Sequence, residues 1–434
     1  MITLIKRIFI YAILILRNRV TNPLPAILAI ALLLISPLVL AQNVLDTVVA
    51  GTRPYAVAVN HQTNKIYVAN LNSNNVTVID GKNAIATVEV GEGPIAIAIN
   101  TQTNKVFVAN SDSDNVTVID GNNNTTTTVE VGDMPLAIAI NPQTNQIYVA
   151  NANGHSVTVI NGDNNTTTTL TTDEGIGFEP RSIAVKPQTN QIYVANASSG
   201  SVTVINGDDL TTNWVSVQKK GQNVVNKPTA IAINLQTNRI YVTNPHSNWY
   251  DDTPTLPVEP ESDYVTVING DNNQVITEIN VGYMPQAIAL NPQTNQIYVS
   301  NYFGKNVTVI DGDNNTTTTV DVGSIPTNLA INPQTNQIYV VGTSNFLKVI
   351  NGNTLNTTNI GIGTTSANAI AINPQTNKIY VAKAPASADS KNLMVIDGGT
   401  INGTITFPAS NDPSPIATAI NKQTQKTYLV YDFF

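Results

Sequence analysis

From Val44 onward, apolar residues alternate with small or polar ones at a period of two, in short runs. Pro94-Ile-Ala-Ile-Ala-Ile-Asn100, Lys105-Val-Phe-Val-Ala-Asn110 and Asn115-Val-Thr-Val-Ile-Asp120 follow one another in this way. Period two, with β-branched and aromatic residues at the apolar positions, predicts strands. No convincing 3.6-residue apolar period follows residue 42. Between the runs stand Asn, Gly, Asp and Pro, which supply the left-handed or fixed backbone that tight turns need.

The runs belong to a repeat. A Gln-Thr-Asn triplet, or a close variant, recurs at Gln62, Gln102, Gln143, Gln188, Gln236, Gln293, Gln334, Gln375 and Gln423. Each unit carries an Ala-Ile-Ala-Ile-type run (strand A), a run with an aromatic (B), a Val-Thr-Val-Ile run (C) and a Thr-rich run (D). Four short antiparallel strands per unit of roughly 41 residues predict an all-β fold, a β-propeller of four-stranded blades. The B-strand aromatics are Tyr67, Phe107, Tyr148, Tyr193, Tyr241, Tyr298, Tyr339, Tyr380 and Tyr428, one per unit at one register. That regularity points to packing between blades rather than to a ligand. Val44 to Val49 reads as an orphan D strand, and Pro415 to Tyr431 supplies only A and B. Eight or nine blades are therefore expected, with the two termini closing the ring.

Ile66-Tyr-Val-Ala-Asn70, Ile192-Tyr-Val-Ala-Asn196, Tyr241-Val-Thr-Asn244 and Val307-Thr-Val-Ile-Asp-Gly312 carry a resemblance to the YVTN-type propeller repeats of surface-layer and other exported proteins. The resemblance covers residues 44 to 431. It implies the fold strongly and the function weakly, because one fold hosts many activities.

Residues 1–41 are of another kind. They hold Lys6, Arg7, Arg17 and Arg19 without an acidic residue, then an apolar or small run from Leu24 to Ala41. A positive flank, an apolar core and a small-residue end read as a secretory signal cleaved after Ala41, leaving residues 42–434 as one domain. Pro37 near the end of the run suits that reading. The alternative is an uncleaved membrane anchor, since the run is just long enough to span a bilayer. Either way the chain is expected outside the cytoplasm: secreted, periplasmic or at the cell surface. Cleavage takes the net charge from -8 to -12. That balance disfavours nucleic acid, which wants concentrated Lys and Arg. With no cysteine, disulfides, thiolate metal sites and Cys nucleophiles are excluded.

Antiparallel blades place the A–B and C–D turns on one rim and the B–C and D–A loops on the other. The first set barely varies, with Pro-Gln-Thr-Asn at Pro142, Pro187, Pro292, Pro333 and Pro374. The second varies freely, as loops that carry specificity do. Its longest member, Pro245 to Tyr264, holds His246, Trp249, Tyr250, Asp251 and Asp252, with Glu259, Glu261 and Asp263 further along; Thr172 to Pro180 and Lys219 to Pro228 are also long. With His155, Tyr302 and Phe303 on neighbouring B–C loops, these are the candidate ligand-binding residues. Aromatics beside carboxylates suit a cell-envelope glycan or protein partner, or calcium ligated through oxygen. The plain reading is a Pro-stiffened acidic loop. Two histidines are too few for a transition-metal site, and no metal or other cofactor is called for.

No catalytic motif is present, and no general base stands beside any serine in sequence. The expectation is a non-catalytic exported binding scaffold. The alternative is a lactonase-like hydrolase with a metal or acid–base cluster near the central channel. The Asn-x-Thr triplets at Asn75 and Asn306 fall inside strand C and look incidental.

Overall fold

The computed structural model describes residues 44–48, 50–80, 83–219, 226–246, 263–362, 366–383, 393–398, 415–421 and 426–431. Eight four-stranded antiparallel sheets form the blades of a β-propeller. Blade one runs Pro54–Asn60, Lys65–Asn70, Asn75–Asp80 and Asn83–Glu89. Blades two to seven repeat this order, and their inner A strands adjoin one another around the ring. Blade eight takes its A, B and C strands from Ala367–Asn373, Lys378–Lys383 and Leu393–Asp397. Its D strand is Val44–Val48, with Val48 opposite Leu393.

The orphan strand therefore completes the eighth blade, and the nine-bladed alternative falls away. Strands Pro415–Asn421 and Lys426–Tyr431 pair with each other and join none of the eight sheets. The C-terminal repeat thus adds a hairpin rather than a blade.

The core lies between blades. Tyr67, Val76, Val78 and Val88 of blade one pack on Val106, Val108 and Ile119 of blade two, with Ile97 and Ile99 of its A strand closing the inner side. Phe107, Tyr148, Tyr193, Tyr241, Tyr298 and Tyr380 sit in equivalent clusters. The alanines of strand A leave room where eight inner strands converge; its isoleucines fill the gaps between blades.

The uniform rim is knitted by asparagine. The last residue of strand A caps its own turn, as where Asn141 Oδ1 accepts from Gln143 N (3.0 Å). Its Nδ2 donates to the turn Asn of the next blade: Asn60 to Asn104 (2.8 Å), Asn100 to Asn145 (2.7 Å) and Asn141 to Asn190 (2.6 Å). Asn234 to Asn295, Asn291 to Asn336 and Asn332 to Asn377 continue the series. Asn373 to Asn64 closes it across the chain's two ends (2.9 Å). The accepting Asn is left-handed in every blade, for example Asn145 at φ 52°. In blade four Lys186 stands in place of Asn and donates instead to Gly270 O (2.9 Å).

The repeat signature is a second latch, on the variable rim. The Asn ending Tyr-Val-Ala-Asn hydrogen bonds the Thr of Val-Thr-Val, as in Asn110–Thr117 and Asn151–Thr158 (both 3.0 Å). That Thr Oγ1 accepts from a glycine N–H arriving from the previous blade: Gly91 to Thr117, Gly132 to Thr158, Gly177 to Thr203 and Gly282 to Thr308. At Asn301 the amide is satisfied when Nδ2 donates to Gly282 O (3.2 Å) and Oδ1 accepts from Thr308 Oγ1 (2.8 Å).

Candidate functional site

The variable rim is built from corners. In blades one to seven the B–C turn hydrogen bonds the D–A loop that enters its own blade, as where Tyr302 N donates to Met284 O (2.8 Å) and Ala152 N to Met134 O (2.9 Å). The residue before the first proline of strand A is left-handed without being glycine: Arg53 (φ 54°), Met134 (56°), Glu179 (56°) and Met284 (58°). A following proline normally pushes a residue into extended backbone, so these corners are strained. A side chain from the previous blade holds each of the last three by accepting its N–H. Asp114 serves Met134 (2.8 Å), His155 serves Glu179 (3.1 Å) and Asp263 serves Met284 (2.9 Å). The corner lifts the residue before it into solvent: Thr52, Glu92, Asp133, Phe178 and Tyr283 are all exposed. Each blade junction of this type thus displays one position free to vary on a fixed backbone.

At the corner between blades five and six that position is Tyr283. Its ring lies 5.6 Å from Phe303, and Tyr302 meets Phe303 edge-on at 5.0 Å. Phe303 is 49% and Tyr283 42% exposed. Two rings thus stand half in water side by side on the variable rim. Asp263 ties this cluster to the long B–C loop of blade five. Its Oδ1 accepts from His246 N and its Oδ2 from Met284 N. The carboxyl is 3% exposed. Burial pushes its pKa above the ordinary aspartate value, although the two backbone donors and His246 oppose that. His246 also bridges Asn226 of the adjoining D–A loop.

At the corner between blades three and four, Phe178 is exposed and meets the His155 ring edge-on (5.1 Å). Glu179 receives Arg181 on Oε1 and the Ser198 hydroxyl on Oε2. Burial raises the Glu179 pKa, but Ser198 and Arg181 outweigh it and hold the carboxyl below its usual range.

The structure therefore joins His246 to Tyr302 and Phe303 through Asp263 and Tyr283, and leaves His155 at a separate corner. His155 serves the backbone there, its Nδ1 within 2.9 Å of Ala152 O and accepting from Glu179 N. Trp249, Tyr250, Asp251 and Asp252 lie outside the described residues, as does the leader through Ala41. Sequence reasoning missed Phe178, Glu179, Arg181 and Tyr283; it placed Asp263 among the carboxylates of the long loop, but not as the link to Met284. The available signal was register: Phe178 and Tyr283 stand two residues before a strand-A proline, where other units carry Thr52, Glu92, Asp133 and Ser324.

The hydrolase alternative asked for acid–base groups near the inner ends of strands A. Two serine–carboxylate pairs are described there, Ser198–Glu179 and Ser111–Asp112 (2.9 Å); the Glu179 carboxylate, paired with Arg181 and held below its usual range, is a poor base. Among the described residues no group of three His, Asp or Glu is gathered to hold a metal, and no helix is long and apolar enough to cross a membrane.

No family model matches this sequence, and no curated protein matches it. Among solved structures, Kuenenia stuttgartiensis hydrazine synthase is similar, with a TM-score of 0.56 and 18% identity over 72% of this chain and 96% of that one. At that identity the likeness concerns the propeller fold alone.

Proposed function

We propose that the chain is a non-catalytic, exported β-propeller of the YVTN-repeat kind, a rigid scaffold that binds a cell-envelope glycan or protein through its variable rim. The observation that carries this reading is the exposed Tyr283–Phe303–Tyr302 cluster, anchored through Asp263 to the loop that begins at His246. Ring faces held on fixed backbone stack a sugar or receive an apolar side chain at little cost in conformational entropy. Export is supported by the leader-like residues 1–41, and an envelope setting by the repeat resemblance.

The test is binding of residues 42–434 to envelope fractions of the source cells, resolved into polysaccharide and protein pools. Tyr283→Ala with Phe303→Ala is expected to weaken binding at least about fivefold, as loss of interface anchors worth more than 1 kcal/mol does. Equal binding by wild type and double variant removes this corner as the site. Turnover of a small substrate that is lost on rim mutation overturns the non-catalytic reading.

A further inference from the structure

Six of the chain's Asn-x-Thr triplets form two structurally distinct sets, and of these two sets only one can be reached from outside. In Asn75-Val-Thr77, Asn115-Val-Thr117 and Asn306-Val-Thr308 the threonine is 2 to 3% exposed and engaged in the Asn–Thr–Gly latch. The second set lies at the C–D turns of blades two, three and six: Asn123-Asn-Thr125, Asn164-Asn-Thr166 and Asn314-Asn-Thr316. Both the Asn and the Thr are exposed in all three.

We infer that Asn123, Asn164 and Asn314 are N-glycan attachment sites on the uniform rim. Three observations carry this. First, each Asn-x-Thr forms the same compact turn. Thr125 donates its N–H (3.0 Å) and its hydroxyl (2.8 Å) to Asn123 Oδ1. Thr166 does the same to Asn164 (3.0 and 2.8 Å), and Thr316 to Asn314 (2.8 and 2.7 Å). The hydroxyl thus meets the carboxamide oxygen at the spacing of the N-glycan acceptor triplet, in a turn that Asp209 and Thr211 also form in blade four. Second, the turn is held through Oδ1 alone. Nδ2 of Asn123 and Asn164 makes no hydrogen bond among the described residues, and that of Asn314 makes one to Asp311 (3.1 Å). A sugar on Nδ2 leaves the turn and the strand ladder intact. Third, the three sites share the rim opposite the aromatic corner, so modification there leaves the proposed binding surface open.

The reaction is a glycosyl transfer from a lipid-linked sugar (pyro)phosphate donor. An N-glycosidic bond forms between Asn Nδ2 and the anomeric carbon. The bond from that carbon to the donor phosphate oxygen breaks, with its electron pair leaving on the phosphate, and one amide proton passes to a base of the transferase. No electron is gained or lost. The inference rests on the export reading, because such donors act at the outer face of a membrane.

The test is peptide mapping by mass spectrometry of the full-length protein recovered from its own cells, with fractionation of those cells in parallel. Sugar mass is expected on the peptides holding Asn123, Asn164 and Asn314. Thr125→Ala, Thr166→Ala and Thr316→Ala should each abolish it at their own site, and Thr→Ser should restore it. Bare peptides from protein in the extracytoplasmic fraction overturn the inference while leaving export standing. Bare peptides from protein confined to the cytoplasm overturn both. Sugar on Asn75, Asn115 or Asn306 instead shows that folded accessibility does not select the site.

Discussion

Asp263 shows how one buried side chain couples the rim to pH. It accepts two backbone N–H groups, from His246 and Met284, and burial raises its pKa above the ordinary value. A carboxyl with a raised folded pKa binds its proton more tightly in the folded chain. Its contribution to stability is therefore complete below the ordinary aspartate pKa and is lost as pH climbs through the raised one. Asp263→Asn cannot ionise, so the unfolding free energy of wild type minus that of the variant should fall across this window and flatten above it. A difference that rises with pH would mean that the backbone donors, not burial, dominate. The Asn–Thr–Gly latch makes a second residue-scale prediction. A Cβ on Gly132 would stand 2.6 Å from Asn151 Nδ2, too close for any ordinary contact. Gly132→Ala and Asn151→Ala should each cost about 1–3 kcal/mol in chemical denaturation. Together they should cost less than the sum, because both break one network.

At the scale of the strand and its turn, the odd blade is the informative one. Lys186 occupies the position that is asparagine in the other blades, and it is 5% exposed with its pKa pushed down by burial. Without a donor there, Asn238 Oδ1 of the next blade is buried and has no hydrogen-bond partner. Lys186→Asn should supply that donor and remove a desolvated ammonium, at the loss of the bond to Gly270 O. We expect the unfolding midpoint to rise, by about 1 kcal/mol in free energy; a fall would mean that the Gly270 contact outweighs the orphaned amide. Much of this scale was legible beforehand. Alternation gave the strands, the turn residues gave their ends, and one aromatic per unit gave the interblade wedge, because these are local consequences of period and sterics. The corners were not legible. That Phe178 and Tyr283 project into solvent depends on a left-handed residue before proline, and its support comes from the preceding blade rather than from nearby sequence.

Ring closure belongs to the whole molecule, and it is where the repeat pattern left two answers open. Nine A–B pairs are present in the sequence, but eight sheets complete the circle. The D strand of the eighth blade comes from Val44–Val48, and Asn373 reaches Asn64 to finish the amide ring. Counting repeats cannot reveal this, since Val44–Val48 and the segment after Gly398 both read as D strands and only the geometry of closure chooses between them. The choice has a consequence for truncation. Deleting residues 399–434 from the mature chain removes no strand of the eight blades, so the remaining 42–398 should unfold at nearly the same denaturant midpoint. Deleting 42–50 exposes the outer edge of strand Leu393–Asp397 and strips Val48 from a core cluster shared with Ile66, Val68 and Tyr380. That loss falls on the one blade whose C and D strands are not consecutive in the chain, so it should lower the midpoint sharply and open the ring to proteolysis near blade eight. If the two truncations behave the other way round, the C-terminal hairpin and not the N-terminal strand holds the propeller shut.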